Sequence, residues 1–441
     1  MAPFVYTPLP TDTSHLNLRL IKLQPSNDRS AQIRCKIIDY PLVPDRSVSH
    51  LYECLSYVWG TSEDPSVIKI ETAQNTFDFE VTQNLYAALI QLRDPFFERI
   101  LWVDAVCINQ DDDREKTHQV AAMARIYGLA SRVVAWLGEE ADESALAFQE
   151  LKSIAQHQQP QHQLVELADK AWHEAPPIDN VETNLSESIN NNHARGILAV
   201  DAVLNRAYFR RMWILQEVTA ARSVVYKCGQ AEMQSSTFIS GVEGLSRPTD
   251  WELRNRIGAF TMILKLSAYR ENVKGQAHLN IDTLLHLVQR FHTYEATDLR
   301  DKIYALWGLS SDSKMMRNLQ PDYGKPWKDL FEELGRTMFG AEAFSLAAPG
   351  SQTMLVRSIS CALGKVRFSS HPDAWATEQT LAIESMRVSV QLGEKYNWNQ
   401  DITIKALTGN IQEDDIAFFI PLVRRLVIAR PCNCYFRVLS V

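Results

Sequence analysis

The stretch LWVDAVCINQDDDREKTHQVAAMARIYGLASRVVAWLG, residues 101–138, predicts a complete strand–loop–helix–strand unit. Its first seven residues are apolar apart from Asp104, as expected of a strand buried on both faces. Asp112 precedes Glu115 by three residues, which is the spacing of a capping box at the start of a helix. The closing run RVVAWL predicts a second buried strand. Because strands joined by such a crossover run parallel, the unit predicts an α/β fold with a central, mostly parallel sheet flanked by helices.

Polar residues follow the first of these strands at once. Ligands of open α/β sheets bind beyond the carboxyl ends of the strands, where Asp104, Asn109 and Gln110 are expected to lie. A carboxylate costs several kcal/mol to bury unpaired, so Asp104 must meet a cation, backbone donors or water. It either caps the loop through backbone N–H groups or serves a site by binding a ligand hydroxyl or transferring a proton. The sequence leaves both interpretations open.

Apolar spacing predicts the remaining elements. Strands are expected over residues 16–23, 31–38, 52–58, 67–70, 76–81 and 223–227, and helices over residues 85–92, 143–156, 212–221, 281–290 and 327–339. Residues 139–195 contain runs rich in Gln, Asn, Pro and Ser, which predict a polar insertion. The chain is expected to divide into a domain over residues 1–310 and a helical, poorly patterned region over residues 311–441, giving a mainly helical continuation of the fold.

The composition excludes several classes of protein. With 46% hydrophobic and 22% charged residues, the 441-residue chain has the composition of a soluble globular protein. A net charge of −8 and the lack of any five-residue basic run argue against nucleic acid as a partner. Residues 416–429 are the most apolar stretch, but Pro421 and two arginines interrupt them, so no membrane span is predicted. Seven scattered cysteines do not suggest a disulfide framework, which favours a reducing, cytoplasmic location.

Four blocks of the chain resemble one known family. They are YECLSYVWG at 52–60, the 101–138 stretch, RAYFRRMWILQEVTAARSVVYKCG at 206–229 and DLRDKIYALWGL at 298–309. Their order and intervals resemble the heterokaryon-incompatibility (HET) domain of filamentous fungi, over roughly residues 45–310. The resemblance implies an effector of fungal non-self recognition and programmed cell death, triggered by a protein partner in trans. It also implies a fold like that of Toll/interleukin-receptor (TIR) domains and makes a homo-oligomer a further candidate assembly.

Some TIR-like domains cleave NAD at the nicotinamide–ribose bond with one glutamate, and the resemblance makes Glu217 the candidate here. Its expected chemistry is to hold the ribose hydroxyls and stabilise a developing oxocarbenium ion, with Asp104 as the second catalytic candidate. Alternatively, Glu217 is structural, because the basic residues of the FRR run just before it could supply an ion-pair partner.

Two further residues are candidates for binding the substrate. Trp59 precedes Gly60 after a predicted strand, so its ring could stack on a base or nicotinamide, or pack as a core tryptophan. The guanidinium of Arg300 could hold a phosphate or carboxylate, or pair with Asp298 or Asp301.

Other catalytic patterns are missing from the sequence. It contains no GxSxG, GxxxxGK[ST], HExxH or GxGxxG motif, so no metal site and no resident cofactor are predicted, and NAD enters only as a candidate substrate. The enzyme hypothesis predicts that Asp104, Trp59, Asn109 and Glu217 line one cleft. The alternative, a signalling module that acts by protein–protein association, predicts that these residues do not cluster and that surface changes abolish function. Full burial of Glu217 would count against the enzyme.

Overall fold

The computed structural model describes residues 4–10, 16–43, 50–61, 63–72, 74–168, 187–245, 257–258, 260–261, 264, 279–311, 317–339, 344–347, 354–357, 361–368, 378–385, 402–407, 411–412, 414–420, 425–432 and 435–440. The chain forms two compact units. The first comprises residues 1–253 and 270–277, and the second comprises residues 254–269 and 278–441.

A nine-stranded sheet forms the centre of the first unit, as far as the structure describes that unit. Its strands, in chain order, are β1 (Leu16–Leu23), β2 (Arg34–Leu42), β3 (Glu53–Ser56), β4 (Ser66–Glu71), β5 (Thr76–Val81), β6 (Arg99–Trp102), β7 (Arg132–Trp136), β8 (Val224–Cys228) and β9 (Ala231–Gln234). Across the sheet they lie in the order β5-β4-β2-β1-β6-β3-β7-β8-β9. The predicted strands of the first unit are therefore present, with small shifts of their ends.

The sheet is mixed. Neighbours β6, β3, β7 and β8 run parallel, and so do β2 and β4. The pairs β1–β2, β1–β6, β4–β5 and β8–β9 are antiparallel. The α/β class is thus confirmed, whereas a predominance of parallel strands is not.

Helices lie on this sheet. They are α1 (Gln83–Leu92), α2 (Asp104–Cys107), α3 (Asp113–Ala121), α4 (Met123–Leu129), α5 (Ser144–Ala168), α6 (Glu187–Leu204), α7 (Ile214–Ala220) and α8 (Ser235–Glu243). The predicted cap of α3 is confirmed, because Asp112 accepts hydrogen bonds from the backbone N–H groups of Arg114 and Glu115. Helix α5 begins inside the predicted polar insertion and buries Phe148 and Leu151, so this part of the insertion is packed.

The strand predicted over residues 101–107 is shorter than expected. Strand β6 ends at Trp102, and Asp104 opens the short helix α2 instead of lying within a strand. The backbone N–H groups of Cys107 and Ile108 turn back to the carbonyls of Val103 and Asp104. An apolar run of this length cannot distinguish a strand from a strand followed by one helical turn, since both bury the same side chains.

The second unit contains the helices α9 (Leu284–Phe291), α10 (Asp301–Trp307) and α11 (Trp327–Phe339), of which α9 and α11 lie at predicted positions. Helix α11 has the predicted bounds, and Thr283 caps α9 by accepting a hydrogen bond from the N–H of His286. Both features follow from local patterns of apolar spacing and capping residues.

The expected helical continuation is wrong beyond α11, where the described residues form strands. These are β10 (Phe344–Ala347), β11 (Met354–Arg357), β12 (Cys361–Phe368), β13 (Glu378–Ser385), β14 (Ile402–Leu407), β15 (Ile416–Ile420), β16 (Arg425–Cys432) and β17 (Tyr435–Ser440). Strands β12 to β17 form an antiparallel sheet in the order β14-β13-β12-β15-β16-β17. Gly364 at a bulge in β12 and Pro431 in β16 interrupt the alternation that would have predicted strands. The division into functional domains at residue 310 stays a prediction.

The described cysteines of the first unit are free thiols in the interior: Cys35, Cys54, Cys107 and Cys228. Burial raises the pKa of Cys35 and of Cys107 to about 12 and that of Cys54 well above its ordinary value. Cys54 and Cys107 thus act as small buried hydrophobes. Among the helices that the structure describes, none is long and apolar enough to cross a bilayer.

Candidate functional site

The carboxyl ends of β3 and β6 bring Trp59 and Asp104 together. The two strands are parallel neighbours, so the segments that follow them emerge at the same edge of the sheet. The indole Nε1 of Trp59 donates a hydrogen bond to Oδ2 of Asp104 at 2.8 Å, and the backbone N–H of Ala105 donates to Oδ1 at 2.8 Å. Asp104 is buried, whereas Trp59 is 37% exposed, so the ring lies between the carboxylate and solvent.

Arg211 links Asp104 to Glu217. It lies in the short segment between a turn of 3₁₀ helix (Ala207–Arg210) and α7. Its Nη1 donates to Oε1 of Glu217 at 2.7 Å, and its Nη2 approaches Oδ2 of Asp104 at 3.5 Å. Burial opposes the charge of Arg211, but Glu217 and Asp104 outweigh this effect and raise its pKa. One guanidinium therefore lies between two carboxylates. We call the connected side chains of Trp59, Asp104, Arg211 and Glu217 the Asp104–Glu217 network.

Glu217 is fully buried in the first turn of α7. Burial raises the pKa of Glu217, as does nearby Asp104, whereas Arg211 and the Ser56 hydroxyl lower it, and the net shift is upward. Its second oxygen, Oε2, is enclosed without a hydrogen-bond partner of normal geometry among the described residues. A buried carboxyl group with one free oxygen and a raised pKa favours the protonated form more than a surface glutamate does.

Tyrosines surround the network. Tyr57, Tyr127 and Tyr208 are buried, and burial raises the pKa of each well above its ordinary value. Asp104 adds to the rise in the pKa of Tyr57, and the hydroxyl of Tyr208 lies 2.8 Å from the Ser56 hydroxyl. These phenols remain protonated, so they can serve as donors in an interior that otherwise carries two acidic groups.

The other predicted site residues of the loop play different parts. Gln110 donates from Nε2 to the backbone carbonyl of Asp104 at 3.0 Å, which fixes the loop and not the carboxylate. The backbone N–H of Asn109 donates to Oε1 of Glu115 at 2.8 Å, and its side-chain oxygen accepts from the N–H of Asp111. Both side chains are half-buried, and both stabilise the turn that carries Asp104.

Arg300 belongs to the second unit. Its guanidinium forms a salt bridge with Asp298, with Nη2 at 2.7 Å from Oδ2, and donates to the carbonyls of Tyr323 and Lys325. It also lines an open depression of about 540 Å³, together with Thr297, Asp298, Leu299 and Trp327. The contacts with Asp298 correspond to the structural alternative that the sequence left open, and the binding role of Arg300 stays a prediction.

A depression of about 340 Å³ in the first unit includes none of the four network residues in its lining. It is lined by Gln83, Asn84, Tyr86, Ala87, Ile90, Gln91 and Glu139. It adjoins the network only indirectly, because Asn84 donates to the carbonyl of Val58, next to Trp59. Trp59, Asp104 and Glu217 are thus brought together by hydrogen bonds and ion pairs, with Arg211 as the link.

The sequence offered the FRR run as the source of an ion-pair partner for Glu217, and Arg211 of that run forms the pair. Sequence reasoning missed the second contact of Arg211, with Asp104, and the polar end of β3. The six-residue interval between Arg211 and Glu217 spans a bend, so helical spacing gives no signal for the pair. Ser56 and Tyr57 directly precede the Val58–Trp59 dipeptide. A hydroxyl residue at the end of an otherwise apolar strand was a signal that could have indicated a buried polar cluster.

Comparisons with known proteins identify the segment that holds the network. Residues 52–217 match the family model described as heterokaryon incompatibility protein (HET). Over 361 residues the chain is 26% identical to heterokaryon incompatibility protein 6, OR allele, of Neurospora crassa, which covers 73% of this chain. The chain spans about half, 51%, of the length of that relative. No solved structure matches the chain.

The matched segment begins at Tyr52, at the entry to β3, and ends at Glu217, so it encloses all four members of the Asp104–Glu217 network. It also encloses Asn109 and Gln110, whereas Arg300 lies outside it. The resemblance predicted from the four blocks is thereby confirmed by the match of residues 52–217 to the heterokaryon-incompatibility (HET) family.

Proposed function

We propose that this chain acts in heterokaryon incompatibility, as an effector of fungal non-self recognition that operates in the cytoplasm and leads to programmed cell death. The observation that carries the proposal is the coincidence of the HET match, residues 52–217, with the Asp104–Glu217 network. The name of the Neurospora crassa relative supports the same role.

The burial of the network favours action by protein–protein association. Glu217 is fully buried, Asp104 is covered by Trp59 and the loop after β6, and both carboxylates engage Arg211. A charged triad of this kind, tied to β3, β6 and α7, stabilises one arrangement of the sheet edge. The surface of the domain is then the part that a triggering protein, or a second copy of the chain, would recognise.

A second candidate is cleavage of NAD or a related nucleotide, as predicted from the likeness to TIR domains. One combination favours it: Glu217 has a raised pKa and a buried oxygen without a hydrogen-bond partner of normal geometry among the described residues, which is a pattern common at catalytic carboxyl groups. This candidate requires the loop after β6 and Trp59 to move, because substrate must reach Glu217.

The role in incompatibility is tested by inducible expression of the full chain in a filamentous fungus, with uptake of a vital dye as the measure of hyphal death. We expect death after induction, or after fusion with a strain that supplies the trigger. Arg211→Met, which breaks the network, should abolish it, whereas Arg195→Met, which removes an exposed ion pair with Glu143, should not. Hyphae that survive equal amounts of folded wild-type protein in both settings would refute the proposal.

The two mechanisms are separated by nicotinamide release from NAD⁺ with purified protein. Glu217→Gln is compared with Glu53→Gln, because Glu53 is a largely buried glutamate that is likewise paired with arginine, in its case Arg99 and Arg132. Release that is lost only in Glu217→Gln would establish cleavage. Hyphal death without nicotinamide release would establish association.

A further inference from the structure

A short segment before β1 crosses from one edge of the sheet to the loop that carries Asp104. We call it the strap; it comprises residues 4–10 and has no regular secondary structure. Pro8 and Pro10 lack a backbone N–H, so the strap cannot form a continuous ladder with a neighbouring strand. It is held by side chains, and such contacts open more readily than a sheet ladder does.

One end of the strap packs on the edge strand of the sheet. The ring of Phe4 meets those of Tyr6, Phe77 and Phe79 edge to face, with centroid distances of 5.0, 5.8 and 6.2 Å. Phe77 and Phe79 belong to β5, which is the terminal strand in the sheet order. Removal of Phe4 would uncover an aromatic face on a strand whose outer backbone is available for pairing.

The other end of the strap holds the loop after β6. The hydroxyl of Tyr6 donates to the carbonyl of Val106 at 2.9 Å. Burial raises the pKa of Tyr6, so the hydroxyl keeps its proton and remains a donor. Val106 lies in α2, two residues after Asp104, so this bond fixes the turn from which the Asp104 carboxylate projects.

Arg19 joins the strap and the loop through one guanidinium. Its Nη2 donates to the carbonyl of Thr7 at 2.6 Å, and its Nη1 donates to the carbonyl of Cys107 at 3.2 Å. The guanidinium also lies over the ring of Tyr6 and forms a buried ion pair with Glu115, which in turn accepts from the N–H of Asn109. Displacement of the strap would remove the contacts of Arg19 with Thr7 and Tyr6. It would thereby weaken the hydrogen bond from Arg19 to Cys107 in the loop.

We propose that the strap is a detachable latch that couples the edge strand β5 to the loop carrying Asp104. When it is closed, Phe4 covers the aromatic face of β5, and Tyr6 and Arg19 hold the loop over the Asp104–Glu217 network. When it is released, the loop is free to move and Phe77 and Phe79 are uncovered.

The test is hydrogen–deuterium exchange of the full chain, followed by mass spectrometry, at the amides of residues 104–110 and 76–81. Tyr6→Phe removes a single hydrogen bond and should speed exchange at residues 106–110 about three- to tenfold. Phe4→Ala acts at the other end of the latch. It should speed exchange at residues 76–81 and at residues 106–110 together. The ring of Phe4 contacts those of Tyr6, Phe77 and Phe79, so its effect on residues 106–110 would have to pass through the strap.

Tyr40→Phe is the matched control, since it also removes one tyrosine hydroxyl, bonded to His50 on another part of the sheet. It should leave exchange at residues 104–110 at the wild-type rate. The latch is refuted if Phe4→Ala changes exchange only at β5, or if it accelerates all peptides of the first unit equally. The proposal gives the Asp104–Glu217 network of the proposed function a means of regulation. Exchange rates do not depend on hyphal death, so failure of the proposed function would leave this test intact.

Discussion

Arg211 places one positive charge between two buried carboxylates. Its distances to Glu217 and Asp104, 2.7 and 3.5 Å, leave neither acid isolated in the interior. Because the cost of burying a charge is met only by its partners, the energetic role of the guanidinium is to compensate both carboxylates at once. The arrangement makes Arg211 more sensitive to substitution than either acid alone.

Arg211→Met is therefore expected to lower the free energy of unfolding by about 3–5 kcal/mol, since it leaves buried carboxylates without their cation. The measurement is urea unfolding at neutral pH. Arg195→Met provides the comparison, because the ion pair of Arg195 with Glu143 is 62% and 50% exposed and is expected to contribute no more than about 1 kcal/mol. Equal, small losses in both variants would show that the buried pairs are not compensated as described.

Glu217 predicts a pH dependence of stability. Since its folded pKa is raised, the folded chain binds more protons than the unfolded chain at pH values between the two pKa values. Its contribution to stability is complete below the unfolded pKa, about 4.3, and is lost as pH rises through the folded pKa. Glu217→Gln removes this loss, so its stability relative to wild type should improve from pH 4 to pH 8 in urea titrations. A difference that is flat, or that falls with pH, would contradict the raised pKa.

At the scale of single residues, the sequence indicated which side chains matter but not which of them are in contact. It indicated Asp104 because a carboxylate interrupts an apolar run, and Glu217 because a family resemblance singled it out. It placed both in one hypothetical site but could not give the connection through Arg211, because the contact of Arg211 with Asp104 depends on a bend and on the neighbouring strand. Ion pairs between residues distant in sequence leave no periodic signal.

Among the elements, α3 illustrates how far local rules reach. Asp112 was expected to cap this helix from its spacing to Glu115, and its Oδ1 accepts from the N–H groups of Arg114 and Glu115 at 2.9 and 3.1 Å. Glu115, however, does not return to the cap; it pairs with Arg19 of β1. The ion pair with Arg19 thus replaces the contact of Glu115 with the backbone N–H of Asp112 that a complete capping box would contain.

Asp112→Ala should lower the free energy of unfolding by about 1 kcal/mol, because two backbone donors at the start of α3 lose their acceptor. Asp113→Ala, one position into the same helix, keeps the cap and is expected to cost only a few tenths of a kcal/mol through the helix dipole. Guanidinium unfolding of both variants checks the difference. If Asp113→Ala proves as costly, the cap is not the cause.

Elements with strong local patterns were predicted with nearly correct bounds, among them β1, α1 and α11. The strands from Phe344 onwards were not, because their pairing is antiparallel between irregular segments and depends on partners up to a few tens of residues apart. Hydrophobic periodicity describes one segment at a time. It cannot supply the partner that makes a bulged or proline-containing segment a strand.

At the scale of the whole molecule, each compact unit has a buried core of its own. In the first unit, Leu20 and Leu101 are fully buried, and in the second unit, Leu306 and Leu330 are fully buried. Two separate cores permit two cooperative transitions on unfolding, since cooperativity follows shared packing.

Leu20→Ala and Leu306→Ala test this expectation. Each should cost about 2–5 kcal/mol in its own unit, through lost burial and a residual cavity. In differential scanning calorimetry of the full chain we expect each substitution to lower the midpoint of one transition and leave the other in place. A single transition that shifts equally in both variants would show that the two cores melt together.

The four interior thiols of the first unit can be used to follow how its sheet opens. Cys35, Cys54, Cys107 and Cys228 are distributed over β2, β3, the loop after β6 and β8, so together they sample much of the width of the sheet. Only a thiolate reacts quickly with an alkylating reagent, and burial keeps at least three of these groups protonated and out of reach. Alkylation of these cysteines therefore reports on opening of the sheet: the order in which the sulfurs become alkylated gives the order in which the strands separate.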